Sequence, residues 1–277
     1  MSQEKPWCPI EIKDGIYKIR LESWDNFSTC ISSRILGYTK RYIWRGDRCE
    51  NRPLLPSFDR THREKDSQQL VEQMKEHLKT FKFAIRGRRG LNPPSLEDRS
   101  ENDLWALGQH YGLDTPLLDW THSPFVALFF AFEKEKKELQ TPNRVVYAID
   151  RIACEKKSTK INNAHKNTSR ADIIEFIEPT SDENSRLVNQ NGLFTRCTAG
   201  KPIENWVAEK FIGETESIVM IQMLIPNETG DDQKKLRDDR RECLRFLNTM
   251  NINHVTLFPD LHGASLFTNM SNTIANY

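Results

Sequence analysis

Apolar positions recur along this chain in several distinct rhythms. In residues 59–86, Leu70, Met74 and Leu78 recur every fourth residue and Phe81 follows. That pattern predicts a helix with one face on a core and the rest polar. In residues 124–132 the apolar character is unbroken, which predicts a helix buried on all sides, charged only at its 133–138 end. Ser123-Pro124 opens it, with Ser as N-cap and Pro in the first turn. Residues 144–150, 171–177 and 218–225 are short runs rich in Val and Ile, which predict strands.

The intervening text fills in the order. Trp7, Ile10, Ile12, Ile16 and Ile19 predict one or two strands, followed by a helix near 24–36. Tyr42-Ile43-Trp44-Arg45 reads as a strand ending at Gly46, and Pro53-Leu54-Leu55-Pro56-Ser57 as a loop. Ser100 stands three residues before Asp103, a capping signature for a helix running to Tyr111 and stopping at Gly112. Short helices are expected over 182–190 and 204–211, a long amphipathic one over 231–251, and a last strand over 254–258. Pro259-Asp260-Leu261-His262-Gly263 then turns into a final short helix. Residues 155–170 are polar and read as a long surface loop. The expectation is an α+β fold, with helices first and strands later.

Composition narrows the picture. A chain of 277 residues can bury a sizeable core as one large domain or two small ones. Lys and Arg number 40 against 39 Asp and Glu, so global charge predicts no particular partner. The six cysteines show no Cys-x-x-Cys spacing and read as reduced thiols. The longest apolar run, 125–132, is far short of the roughly 20 residues that span a bilayer. These features predict a soluble cytoplasmic protein. No phosphate-binding glycine loop, dinucleotide fingerprint, His-Glu-x-x-His or Gly-x-Ser-x-Gly occurs, and the seven histidines are scattered, so no metal is expected.

Candidate chemistry concentrates in the polar-aromatic stretch 108–124. Asp119, Thr121 and Ser123 either hold turns and cap the next helix, or line a pocket with His110. Such polar groups are costly to bury without partners. Arg45 poses a similar choice. It can pair with a buried carboxylate such as Asp119, or present its planar fork to an anionic ligand, with Gly46 permitting close approach. The Arg86-Gly87-Arg88-Arg89-Gly90 cluster is either a solvated loop or a phosphate contact.

Read together, these segments resemble a known family, the FRG domain. Tyr42-Ile43-Trp44-Arg45-Gly46 resembles its aromatic-Arg-Gly motif, and Pro53-Leu54-Leu55-Pro56 its Leu-Leu-Pro element. Residues 108–131 are similar to its longest signature. Arg186, Gln190, Gly192 and Phe194 match a later element, and Leu257-Phe258-Pro259-Asp260-Leu261-His262-Gly263 the closing one. The resemblance implies an FRG domain over 39–277, with 1–38 as an N-terminal extension packing on it.

A second resemblance, to ADP-ribosyltransferases, implies a split mixed/antiparallel β core flanked by helices and an NAD site. Carried over, Arg45, Thr121 and Gln190 would be catalytic, and His110 is a further catalytic candidate from the residues themselves. Arg45, Gly46, Tyr111, Asp119, Trp120, Thr121 and Ser123 would bind NAD as substrate. Gln190 stands where a Glu is usual, and an amide cannot offset developing positive charge as a carboxylate does. Glu178, Glu183 and Asp119 are the carboxylates that could stand in. The implied activity is NAD-dependent ADP-ribosyl transfer to protein or nucleic acid by a toxin or phage-defence effector, with an antitoxin or immunity partner. The alternatives are a nucleotide- or nucleic-acid-binding module without chemistry, and a hydrolase using His110 with Asp119.

Overall fold

The computed structural model describes residues 7–33, 41–88, 95, 99–135, 141–164, 172–179, 185–227 and 238–277. Arg89, Gly90 and Glu183 lie outside them. Strands β1 (Trp7–Lys13) and β2 (Ile16–Leu21) form a hairpin. Asp14 and Gly15 turn it at positive φ (48° and 76°). Helix α1 (Asn26–Ile31) and strand β3 (Tyr42–Asp47) follow. Next come α2 (Ser57–Thr61), α3 (Ser67–Ala84), α4 (Glu101–His110), β4 (Leu118–Thr121) and α5 (Pro124–Phe132). The chain continues through β5 (Asn143–Asp150), α6 (Arg151–Ala164), β6 (Glu175–Ile177), α7 (Ser185–Asn189) and β7 (Gly192–Arg196). It closes with α8 (Ile203–Lys210), β8 (Met220–Pro226), α9 (Asp239–Thr249), α10 (His254–Leu257) and α11 (Leu261–Thr273).

The strands build one mixed sheet in the order β1-β2-β8-β5-β3-β4-β7-β6. Only the β2–β8 pair among the described strands is parallel. The expected α+β class is therefore what the chain adopts. β5 is central and buried along its whole length, which is why its Val-Val-Tyr-Ala-Ile run does not alternate. Between β3 and β4 the register consists of a single residue pair, Trp44 with Thr121. The sheet is thus split into a five-strand part and a three-strand part that meet at one point.

Three apolar clusters cover it. Helices α5, α9 and α1 pack on one face against Trp44, Val146 and Met223. Helix α8 packs on the other against Tyr147, Ile149 and Leu224. Helices α3 and α4 enclose a third cluster around Phe58, Leu117 and Phe194, beside the three-strand part.

Several expectations need correction. Residues expected as one helix over 59–86 break at 62–66, because Asp66 starts α3 with a reciprocal capping box to Gln69. Residues 155–164 belong to helix α6 rather than a loop. It buries only Cys154 and Ser158, so it shows almost no apolar stripe. Residues 254–257 form helix α10 rather than a strand. The Asn253–Thr256 capping box overrides the β-branched residues there. Strand β7 had no counterpart in the sequence reading.

The loop before β6 is pinned to α8 by Asp172. Its carboxylate accepts hydrogen bonds from Lys201 (2.8 Å) and Thr198 (2.6 Å) and pairs with Lys210 (2.6 Å), and its carbonyl accepts from the Trp206 indole (3.0 Å). Burial pushes this carboxyl up, but those bonds prevail and hold it at about 2. A depressed carboxyl contributes stability above its unfolded pKa of about 4 and loses it as pH falls through the folded value. Asp172→Asn is expected to destabilise the fold by about 1 kcal/mol at neutral pH, after discounting for solvent screening. The deficit should shrink between about pH 4 and pH 2, read from urea denaturation of both proteins across that range.

Candidate functional site

Helix α5 sets the geometry. Ser123 caps it by accepting from Val126 N (3.4 Å), and its apolar faces sink into the core above β3. The approach is so close that a Cβ on Gly46 would lie 1.9 Å from the Ala127 carbonyl oxygen and 2.6 Å from Ala131 N. Helix packing therefore requires a glycine at position 46. The C-terminal carbonyls of α5 are held by guanidinium groups. Arg144 donates to the carbonyls of Ala131 (2.5 Å) and Lys134 (3.1 Å), and Arg240 to that of Glu133 (2.6 Å). Cations suit a helix C-terminus, although burial lowers Arg144 to about 10.

Where the sheet splits, a cleft of about 370 Å³ opens. Arg45, Gly46, His110, Asp119, Trp120, Thr121 and Gln190 all line it. Arg45 is 17% exposed and donates through Nη1 to the Asp119 carbonyl (2.7 Å), with the Asp119 carboxylate 3.8 Å away. Its buried Nε has no hydrogen-bond partner. Asp119 is mostly exposed, so Arg45 is anchored at the rim of an open cleft rather than sealed in a core. Gln109 Nε2 holds Asp119 Oδ1 (2.7 Å), while its carbonyl accepts from the Thr115 hydroxyl.

Thr121 and Gln190 brace the cleft. The Thr121 hydroxyl donates to the Gln190 carbonyl (2.6 Å) and accepts from Ser123 N (3.0 Å), so it is fully committed. Gln190 Nε2 donates to the Leu257 carbonyl (3.1 Å), which leaves the amide oxygen and the second N–H of that side chain to offer. Ser123 is occupied with capping α5, and Tyr111 is exposed and absent from the lining. Glu178 also lies away from it, paired with Arg151 and 3.5 Å from His122.

The lining also holds Glu133, which no sequence motif marks, and Arg186 of the later motif. Glu133 has its carboxylate 3.3 Å from Nε2 of His254, a histidine only 1% exposed whose Nδ1 has no hydrogen-bond partner. Phe129 and Phe258 enclose that imidazole. Glu133 is the first charge after a fully apolar helix. Its own helix therefore offers it little water, a signal visible in the sequence. Arg186, from the opposite wall, pairs with Asp260 (2.5 Å) and lies over the Phe258 ring. The backbone N–H of Gly263, and then Arg186, hold the Asp260 carboxyl below its ordinary value. Arg45, Arg48, Arg52, Lys134 and Arg186 face three carboxylates across the cleft, so cations predominate. Behind them, burial and then the charges of Arg45 and Arg52 lower Arg60.

Comparison with known families adds one finding. Residues 40–140 match the family model of the FRG domain. The chain contains an FRG domain. No curated protein and no solved structure matches the chain. The FRG match covers β3, α4, β4 and α5, hence Arg45, Gly46, His110, Asp119, Thr121 and Glu133. Arg186 and Gln190 come from beyond it and line the same cleft.

The close packing on Gly46 is directly testable. Gly46→Ala puts a methyl against helix backbone that cannot rotate away, so its cost should exceed the usual overpacking range of about 1–3 kcal/mol. A thermal melt of G46A should show a loss of ten degrees or more, on the order of what that energy implies. A midpoint near that of the parent would contradict the packing of α5 on β3.

Proposed function

We propose that the cleft binds NAD and that the protein is an ADP-ribosyltransferase-like enzyme. The observation that carries this reading is Arg45. Its guanidinium is fixed at one edge by a carbonyl, retains a buried donor without a partner, and sits at the split of the sheet amid an excess of cations. Buried unsatisfied donors are rare, and an anionic ligand such as a pyrophosphate would satisfy this one. The cleft volume is within the range of small-molecule sites. Trp44, Phe130 and Phe258 supply apolar lining for flat rings.

The reaction would break the glycosidic bond between the ribose C1′ and nicotinamide, form a bond from C1′ to an acceptor nucleophile, and release the acceptor's proton. Arg45 would hold the pyrophosphate. The Gln190 side-chain amide oxygen would accept from a ribose hydroxyl, with α10 fixing its orientation. Positive charge developing at C1′ calls for a carboxylate, and an amide cannot serve. We assign that role to Glu133, which lies in the cleft and is oriented by His254. This placement would answer the missing late glutamate by an acid from a different element. The acceptor is a protein or a nucleic acid.

Incubation with adenylate-labelled NAD, nucleic acid and a cell lysate tests the proposal. Label transfer with nicotinamide release is expected. Arg45→Ala should weaken NAD binding, and Glu133→Gln should lower turnover by about 10²–10³-fold at nearly unchanged NAD affinity. Absence of both transfer and nicotinamide release would sink the enzyme reading. NAD binding without turnover would leave a nucleotide-binding module in its place.

A further inference from the structure

A second concave surface lies along α3 and α4. It is lined by Val71, Met74, Leu78 and Trp105 at its base, and by Lys75, Lys79, Lys82 and Arg196 at its edge. Its volume is about 250 Å³. Lys75, Lys79 and Lys82 recur at helical spacing along α3, so their ammonium groups form one row about 10 Å long. Arg86 continues the same stripe beyond the helix. Two carboxylates border it: Glu76, in an exposed pair with Lys79 (3.3 Å), and Glu101, 3.9 Å from Arg196. The first of these pairs is exposed, and such pairs bind weakly and exchange readily.

Two further observations point to a ligand. Trp105 is 1% exposed, yet its indole N–H has no hydrogen-bond partner at the base of this groove. Phe83 is 70% exposed beside the cation row, with the Arg86 guanidinium 3.8 Å from its ring centre. A surface aromatic next to a row of cations is how proteins hold single strands, with bases stacked and phosphates neutralised. An acidic peptide would use the cations but has no need of an exposed ring.

We propose that the α3–α4 groove binds single-stranded nucleic acid, with Lys75, Lys79, Lys82 and Arg86 on the phosphates and Phe83 under a base. The site is independent of the NAD reading. It is nevertheless adjacent to it, because Trp105 in the groove and Gln109 in the cleft stand one turn apart on the same side of α4. A strand seated in the groove would therefore lead to the cleft, which makes it a natural acceptor if the transferase reading also holds.

Fluorescence anisotropy of the full chain with labelled thymidine and uridine oligomers of about 20 nucleotides, without NAD, tests the groove alone. Binding should weaken linearly in log–log form between about 50 and 200 mM salt. Lys75→Glu/Lys79→Glu/Lys82→Glu should weaken it at least about tenfold and flatten the salt slope by about 2, at roughly 0.7 per phosphate contact. The three Lys→Gln changes should do so to a smaller degree, with both folds verified by circular dichroism. Phe83→Ala should cost about tenfold with the slope unchanged. No binding at the lowest salt, equal binding by the lysine variants, tighter binding of duplex, or displacement by a polyglutamate peptide of equal length would each overturn the proposal.

Discussion

Everything at the cleft follows from how closely α5 crosses β3. The helix is apolar on every side, so it can only be buried, and the sheet supplies the one large apolar surface for it. A helix resting directly on strand backbone tolerates nothing but hydrogen where the two meet, and Gly46 is that point. Because only two residues separate α5 from the end of β4, placing the helix also places the strand. β4 then touches β3 only at Trp44 and Thr121, and the remaining width becomes a cleft. Arg45 follows from the same constraint. Strand alternation turns it away from the face that Gly46 gives to α5, so its guanidinium reaches across the split to β4.

The two walls differ in how firmly they are held. The β3–α5 wall is locked by buried side chains and by two arginines at the helix end. The opposite wall rests on α7, a five-residue helix with no buried residue. Its ties include the Arg186–Asp260 pair, the bond from Gln190 to Leu257 and the bond from Thr121 to the Gln190 carbonyl. The first two join segments more than 60 residues apart, 186–194 and 257–263, into one clasp. A steric demand sits there too, since a Cβ on Gly263 would lie 1.9 Å from the Phe258 carbonyl. Few buried contacts mean low local stability, so this wall is the one that can adjust to a ligand, while Arg45 stays fixed.

Legibility in the sequence tracked the range of the determining interaction. Helix α5 was readable because its apolar run and its Ser-Pro cap are local. Helix α4 was readable from Ser100 and Asp103 for the same reason. Helix α6 was missed because its few buried positions leave no stripe. Residues 254–257 misled because Val and Thr favour strands, whereas a cap from Asn253 decides otherwise. At the site, the cleft position of Arg45, Asp119 and Gln190 was anticipated from motifs. The commitment of the Thr121 hydroxyl to the Gln190 carbonyl was not, since it joins residues 69 apart. The Glu133–His254 pair spans 121 residues and no local pattern could announce it.

Charge shows the same distinction between sum and arrangement. A net charge of +1 offers no reason to expect an anionic partner. Yet the fold draws arginines from β3, from the loop after it and from α7 to one cleft, and a lysine row to one edge of α3. Elsewhere cations are matched closely by acids, as in the Glu155 and Glu178 partners of Arg151 and the Asp172 cluster with Lys201 and Lys210. Those paired clusters act over short distances and cancel beyond them. The cleft and the α3 row lack such full compensation, so their fields extend to an approaching ligand, where nearby low-dielectric walls strengthen them. Neutrality of the whole chain is thus compatible with two local anion-seeking surfaces, and α4, which contributes to both, fixes the distance between them.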